Sequence, residues 1–399
     1  MAHISFDESI QLLNNLEIKS RTKKVFIEDA LGYVLAEDVI AKYNNPYMPT
    51  ASMDGYAIKH SDIDKEIKII GSNPAGSFEF DTLNENEAIK TFTGSFMPKG
   101  ADTLVPIENV DVNGDILKVH TKVNKGFSVR EIGEDFKEGE IIIPKNTKIT
   151  FAEIGVMASL NIIKIDVYDK AKIGIIATGS EILDLGEEGG FGQIRSSNNY
   201  TLSSVAKFYG FEATNYGLIK DNKENIKNKI LEALMVNDIV VTTGGVSVGD
   251  YDFVKEVAGS FEVIFHGVYI KPGQWIMIAK AGDKYIVSLP GFPYSSFVTF
   301  LLYVLPLANK ISKFKPLTKI KAKLRDDFKK INPKTQFIAV NISYENNEFI
   351  VDMRNKKSGS SGILTNIVNN FALIELEAGF YELKAGDYVD TIIYNKEFL

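Results

Sequence analysis

The sequence predicts a multidomain α/β protein: a doubly wound, mostly parallel sheet domain, a β-rich N-terminal region and a small C-terminal β-barrel. Three observations predict it. Between about residues 169 and 312, apolar strand-like runs alternate with helical runs at the spacing of βαβ units. From about 46 to 144 the runs are short, rich in β-formers and separated by Gly and Asn-Gly turns. From 315 to 399 short strand-like runs recur with Gly turns, as in a small barrel or sandwich. The expected division is therefore 1–168, 169–312 and 315–399, and 399 residues suffice for two or three domains with their own cores.

In chain order, DESIQLLNNLEI (Asp7 to Ile18) predicts a helix, because Asp7 can cap it and Ile10, Leu13 and Leu16 recur at helical spacing. YAI, IKII, TLVPIENV, ILKVHTKV and EIIIP are strand candidates, and FAEIGVMASL (Phe151 to Leu160) returns to helix. KIGIIATG, EATNYGLI, DIVVTTGG and KYIVSLPG then alternate as strands with the helices TLSSVAKFYG, KENIKNKILEAL, DFVKEVA and SSFVTFLLYVL. FVTFLLYVLPLA (Phe297 to Ala308) is the longest apolar run; it is short for a bilayer, contains Pro306 and reads as a core helix. The lysine-dense run KISKFKPLTKIKAKL has alternating apolar residues and predicts a solvated linker and edge strand. TKIKAKL, FIAVNISY, FIVDMR, FALIELE and YVDTIIY complete the C-terminal strands.

Composition excludes several classes. The net charge of −7 argues against a nucleic-acid surface, which needs a basic stripe. The absence of cysteine removes disulfides, thiolate metal sites and thiol nucleophiles. The four histidines form no i,i+3 or i,i+4 pair, so a protein-bound metal is expected to be a hard cation on carboxylates, such as magnesium. MAHISFDESI lacks the basic start and apolar core of a signal peptide, and the expected location is the cytoplasm, with no membrane partner.

Two segments place glycines after apolar strands: IGIIATGSEIL (Ile173 to Leu183) and IVVTTGGVSVGDYDFVKEV (Ile239 to Val257). Open sheets of this kind bind ligands at the carboxyl ends of their strands. Glycine lets backbone N–H groups approach an anion there, and a helix N-terminus adds favourable charge. One such contact contributes about 0.3–1 kcal/mol, so several must converge to hold a phosphate. Either loop alone reads equally well as a tight strand-to-helix turn, but each carries an acid (Glu181, Asp250). Of Asp250 and Asp252, one can cap the following helix and the other face a ligand. SLPGFPYSSF (Ser288 to Phe297) brackets a rigid turn with Pro290 and Pro293, and Ser295 or Ser296 can cap the next helix. SMDGYAI (Ser52 to Ile58) reads by itself as an Asp-Gly hairpin turn, and Lys271 in VYIKPGQW as a solvated lysine.

In combination and in this order, MDGYA, TGS-x-MPKGAD, VR-x-x-GED, ATGSE, GQI-x-x-SN, TTGGVSVGDYDFVKE, KPG and LPG-x-P resemble the molybdopterin molybdenumtransferase family, the bacterial MoeA type related to the E domain of gephyrin. The resemblance implies insertion of molybdate, as substrate, into adenylyl-molybdopterin with release of AMP. It implies catalytic roles at Asp54, Asp135, Glu181, Asp221 and Asp250, with Glu181 and Asp250 holding Mg2+. It implies substrate contacts at Thr93, Arg130, Thr178, Gly179, Ser180, Gly244, Gly245, Ser247, Lys271, Pro290, Gly291 and Pro293. It further implies a homodimer with sites completed by Asp54 and Asp135 of the partner chain, and contact with the adenylyltransferase that supplies substrate. A carboxylate-rich site for two anionic substrates fits such a metal, which relieves the repulsion. The sequence departs from the family pattern in three motifs: Gln274 and Trp275 replace a lysine and a proline, Phe292 replaces an asparagine, and Lys220-Asp221-Asn222 stands where the family usually has Pro-Asp-Asp. The alternatives are a related adenylyltransferase or nucleotide pyrophosphatase, which usually lacks the flanking segments, and a non-catalytic scaffold.

Overall fold

The computed structural model describes residues 3–76, 82–245, 253–357 and 360–395. The chain forms two compact units: one of Met1–Ala36, Lys148–Thr150 and Ile165–Leu399, the other of Glu37–Thr147 and Phe151–Lys164.

The second unit is built on a six-stranded sheet whose neighbours run Thr103–Pro106, Gly55–Ile58, Glu87–Thr91, Glu66–Asn73, Ile116–Val119 and Val110–Asn113. Tyr56, Ile58, Ile67, Ala88, Val105 and Leu117 pack as its core. The Asp-Gly pair does not make the hairpin turn that its sequence suggests. Gly55 starts a strand whose partners are Glu87–Thr91 and Thr103–Pro106, while Thr50–Ala51 pairs with Val129–Arg130. Glycine is required there by close approach, since a Cβ would lie 2.3 Å from the Val105 carbonyl oxygen.

In the first unit the central sheet runs Glu212–Ile219, Lys172–Thr178, Ile239–Thr243, Lys284–Leu289, Met277–Ala281 and Glu262–His266. The first four strands are parallel and the last two antiparallel, adding two strands to the four that the sequence predicts. Both faces are covered, as strand alternation demands. Ile239 and Val241 pack with the helices Asn198–Phe208 and Pro293–Thr299, whereas Val240 and Ile286 pack with Lys223–Val236 and Phe253–Ala258.

The apolar run after Pro293 is one continuous helical stretch, Pro293–Ser312, of 20 residues with mean hydropathy 1.2 in its apolar window. Its length therefore suffices for a bilayer, contrary to the expectation from the shorter apolar run. Burial of 83% of that window inside the protein assigns it to the core. A π turn at Phe300–Val304 precedes Pro306, whose missing N–H cannot bond the Leu302 carbonyl.

The C-terminal strands close on themselves. Thr335–Glu345 pairs with both Glu348–Asp352 and Ala372–Leu376, and Thr318–Leu324 joins Glu348–Asp352 to Tyr388–Ile393. The lysine-rich strand is thus interior to the barrel sheet, not an edge. Its lysines point outward to Glu375, Asp390 and Glu348, while Ala322 and Leu324 pack inward. Two expected caps also differ. Ser5, not Asp7, caps the first helix by accepting from the Glu8 N–H. Ser295 and Ser296 lie inside the helix that they were positioned to cap. The Tyr294 and Ser295 N–H groups instead donate to the Ser361 carbonyl, because the barrel segment reaches that helix end.

Candidate active site

Three parallel strands end together in the first unit. Ala177 lies opposite Thr243, and Thr243 opposite Leu289. The Thr178 hydroxyl donates to the Thr243 carbonyl at 3.2 Å, and the Gly244 N–H to the Leu289 carbonyl at 3.2 Å. Gly244 has φ 90°, and a Cβ on it would sit 2.8 Å from the Thr178 carbonyl oxygen. Only glycine fits that crossing. A Cβ on Gly291 would in turn lie 3.7 Å from the Gly244 Cα, so the Pro290–Gly291 turn closes over the same point.

The neighbouring loop is pinned by Asp221. Its Oδ2 accepts the Ser180 N–H at 2.9 Å, and its own N–H donates to Ser180 Oγ at 3.1 Å. The Asn198 side chain donates to the Gly291 carbonyl at 2.8 Å, fixing the start of the Asn198–Phe208 helix at this edge. The fold therefore gathers Thr178, Gly179, Ser180, Glu181, Asp221, Gly244, Gly245, Pro290, Gly291 and Pro293 around the carboxyl edge of the sheet. Ser247 and Asp250, with the capping choice between Asp250 and Asp252, lie outside the described residues.

The N–H groups of Gly179, Ser180 and Gly244 are already engaged, with Ile219, Asp221 and Leu289. The parallel ladder continues into the turns, so these positions shape the edge and do not hold open anion donors. Glu181 is exposed, and no cationic side chain of the described residues pairs with it. Among the described residues no three His, Asp or Glu gather into a closed metal cage. Magnesium does not require one, since it retains waters and takes one or two carboxylates alongside phosphate oxygens. The free carboxylate of Glu181 suits that donor set.

A second feature adjoins this edge. A cavity of about 350 Å³ is lined by Lys271, Lys329, Lys356, Lys357, Ser360 and Ser361, with Tyr294 and Phe337 among its apolar walls. No carboxylate occurs among its described lining residues. Lys271 is held here by the Ile270–Lys271 strand, which pairs in parallel with Thr335–Gln336 of the barrel. Burial pushes the Lys356 ammonium below the usual lysine value. The strand edge and the cavity meet at one turn: Ser361 accepts from Tyr294, and a Cβ on Gly362 would lie 3.4 Å from Phe292 Cδ1. Phe292 itself is 63% exposed. Sequence reading missed Lys356, Lys357, Ser360 and Ser361. The available signal was a Lys-Lys pair running into a Ser/Gly turn, NKKSGSSG.

The remaining candidates belong to the other unit. Asp54 Oδ1 accepts from both the Thr93 N–H at 2.8 Å and the Thr93 hydroxyl at 2.7 Å. Those two bonds hold its carboxyl below the usual range. Arg130, on the strand beside Thr50–Ala51, donates from Nε to Glu134 at 2.9 Å. Asp135 accepts from the Asn45 side chain at 2.9 Å. Thus Thr93 and Asp54 are brought into contact, whereas Arg130 and Asp135 each have their own local partner.

The chain is similar to known proteins along nearly its whole length. Residues 4–161 match the model of the MoeA N-terminal region (domain I and II), 174–310 that of the probable molybdopterin binding domain, and 321–394 that of the MoeA C-terminal region (domain IV). The molybdopterin molybdenumtransferase of Staphylococcus epidermidis is 32% identical over 403 residues, covering 98% of this chain and 95% of the relative. That of Staphylococcus aureus is also 32% identical, over 404 residues, with the same coverage. Two crystal structures of molybdopterin biosynthesis MoeA protein from Pyrococcus horikoshii superpose with TM-scores of 0.86 and 0.82. They are 26% and 31% identical and cover 99% and 98% of this chain and 100% of each solved chain. With relatives at this identity over nearly its full length, the chain belongs to the molybdopterin molybdenumtransferases, enzymes of molybdenum cofactor biosynthesis.

Proposed function

We propose that this enzyme inserts molybdate into adenylylated molybdopterin, releasing AMP, in a magnesium-dependent reaction. The observation that carries the reading is the lysine cavity, with no carboxylate among its described lining residues, joined through the Phe292–Tyr294 turn to a strand edge bearing Glu181, with which no cationic side chain of the described residues pairs. A bare carboxylate repels both the oxyanion and the phosphorylated pterin; the lysine cavity serves the first, and a metal held on carboxylates serves the second. Lys271, Lys356 and Lys357 attract the oxyanion, and Ser360 and Ser361 offer hydroxyls to orient it. Thr178, Ser180 and the Gly244 crossing shape the edge for the phosphate end, with Asp221 holding the Ser180 turn in place. Glu181 and Asp250 would hold magnesium, which when bound supplies polarisation of the phosphoanhydride. Asp54, kept ionised by Thr93, and Asp135 act on the same substrate from the N-terminal unit of a partner chain in a homodimer. The substrate arrives from the adenylyltransferase that makes it, and the reaction takes place in the cytoplasm.

The test is incubation with adenylyl-molybdopterin, magnesium and molybdate. AMP release in step with molybdate uptake is expected. AMP release at the same rate without molybdate would instead indicate a pyrophosphatase.

A further inference from the structure

Near the N-terminus, His3 reaches the loop that follows Lys271. Its imidazole packs on Trp275 at 4.7 Å between ring centroids, and its Nε2 lies 2.9 Å from Gln274 Nε2. The other end of that amide, Oε1, accepts a hydrogen bond from the Lys334 ammonium. Lys334 also sits 5.7 Å from the centroid of Tyr269. Its backbone N–H bonds Asn332, a wall residue of the lysine cavity, and two residues further on Gln336 pairs with Lys271. No acid of the described residues pairs with Lys334. Burial and then the charge of nearby Lys271 push its pKa down. A costly cation is therefore held near another cation, on the segment between the cavity walls Asn332 and Gln336, with no carboxylate among the cavity's described lining residues.

Counting donors fixes the orientation of the tether. An ammonium only donates, so the amide oxygen of Gln274 faces Lys334. The amide nitrogen must then donate to His3, whose Nε2 has to carry a lone pair. Protonation of His3 places N–H against NH2. Flipping the amide only transfers the clash to the lysine. The three residues are all satisfied in one protonation state, with His3 neutral.

We propose that Lys334 is a further binding cation for the oxyanion of the basic cavity, positioned near Lys271 by Gln274 while His3 is neutral. This rests on the reading of the cavity given under Proposed function. Among the described residues the titratable groups facing His3 are Lys334 and His266; burial first, and then these charges, hold its pKa below the ordinary value. The tether is intact at neutral pH, and because the His3 pKa lies below the ordinary value of about 6.5 it is lost only as pH falls below that value. A protonated His3 adds a positive charge behind Gln274, but that charge acts at longer range through screened surroundings, whereas Lys334 acts by contact. Loss of the lysine's position dominates.

Calorimetric titration of inorganic molybdate into the full-length chain tests this. Lys334→Ala is expected to weaken binding by about tenfold, the scale of one charge-assisted contact. Lys334→Arg should retain most of the affinity, which separates charge from packing on Tyr269, and Gln274→Leu should fall between. From about pH 8 to about pH 5, extending to the acid side of the ordinary histidine value of about 6.5, the parent should lose affinity towards the acid end while His3→Phe responds weakly. Unchanged binding in Lys334→Ala alongside loss in Lys271→Ala overturns this proposal alone. Unchanged binding in Lys271→Ala and Lys356→Ala overturns the reading of the cavity itself. Identical pH responses in the parent and His3→Phe refute the dependence on His3.

Discussion

At Asp352, burial alone would raise the carboxyl's pKa, yet it is held at about 2 by bonds from the Arg354 side chain, Asn341 and the Arg354 backbone. A folded-state value below the unfolded one of about 3.9 means stabilisation that is complete above about pH 5 and is lost as pH falls through about 2. The full shift corresponds to about 2.5 kcal/mol, which solvent around the 65%-exposed Arg354 reduces to about 1–2 kcal/mol. Urea unfolding of Asp352→Asn should show that deficit at neutral pH, and the two proteins should converge between about pH 4 and pH 2. A gap independent of pH would mean that the deficit comes from lost packing. At the proposed catalytic residues, Glu181→Gln and Asp54→Asn should each lower AMP release by about 10²–10³ with an unchanged circular dichroism spectrum. Near-parental turnover in both would remove these carboxylates from the mechanism. Asp54 illustrates what the residue string conceals. Its Asp-Gly pair has a strong local meaning as a turn, while its hydrogen-bonding partner Thr93 lies on a segment 39 residues away and is supplied by sheet topology.

Among the elements, the parallel strands were the most legible, because burial on both faces leaves continuous apolar runs such as KIGIIAT and IVVTT. The strands Glu262–His266 and Met277–Ala281 were less so: they are antiparallel additions at the sheet's side, and no βαβ spacing announces them. The lysine-rich Thr318–Leu324 strand misled, since alternation reveals a half-buried strand but not which neighbours it has. Gly244 makes the strand ends testable as a unit. Gly244→Ala forces an unfavourable φ and a Cβ against the Thr178 carbonyl, and should cost about 1–3 kcal/mol. It should also raise KM for the pterin substrate more than that for molybdate, because the lysine cavity is built on other strands. Equal rises in the two constants would contradict separate subsites.

On the scale of the molecule, the proposed acids among the described residues divide between the two compact units, Asp54 and Asp135 in one, Glu181 and Asp221 in the other. A site shared between chains predicts complementation. Mixed Asp54→Asn and Glu181→Gln subunits should regain part of the activity, since a two-fold dimer then contains one site with both lesions and one intact site. If subunit exchange is demonstrated and the mixture stays inactive, sites within single chains are the better description. The basic cavity was invisible to sequence reading for a related reason: Lys271 and the Lys356–Lys357 pair are about 85 residues apart and meet only when the barrel docks on the central sheet of the same unit. The Pro293–Ser312 helix carries that docking into the order of synthesis. Its core partners include Phe337, Ala339, Leu373, Ile392 and Tyr394, all downstream of it. As the chain leaves the ribosome, this apolar helix emerges before the barrel that covers part of it, a nascent-chain interval that invites chaperone capture.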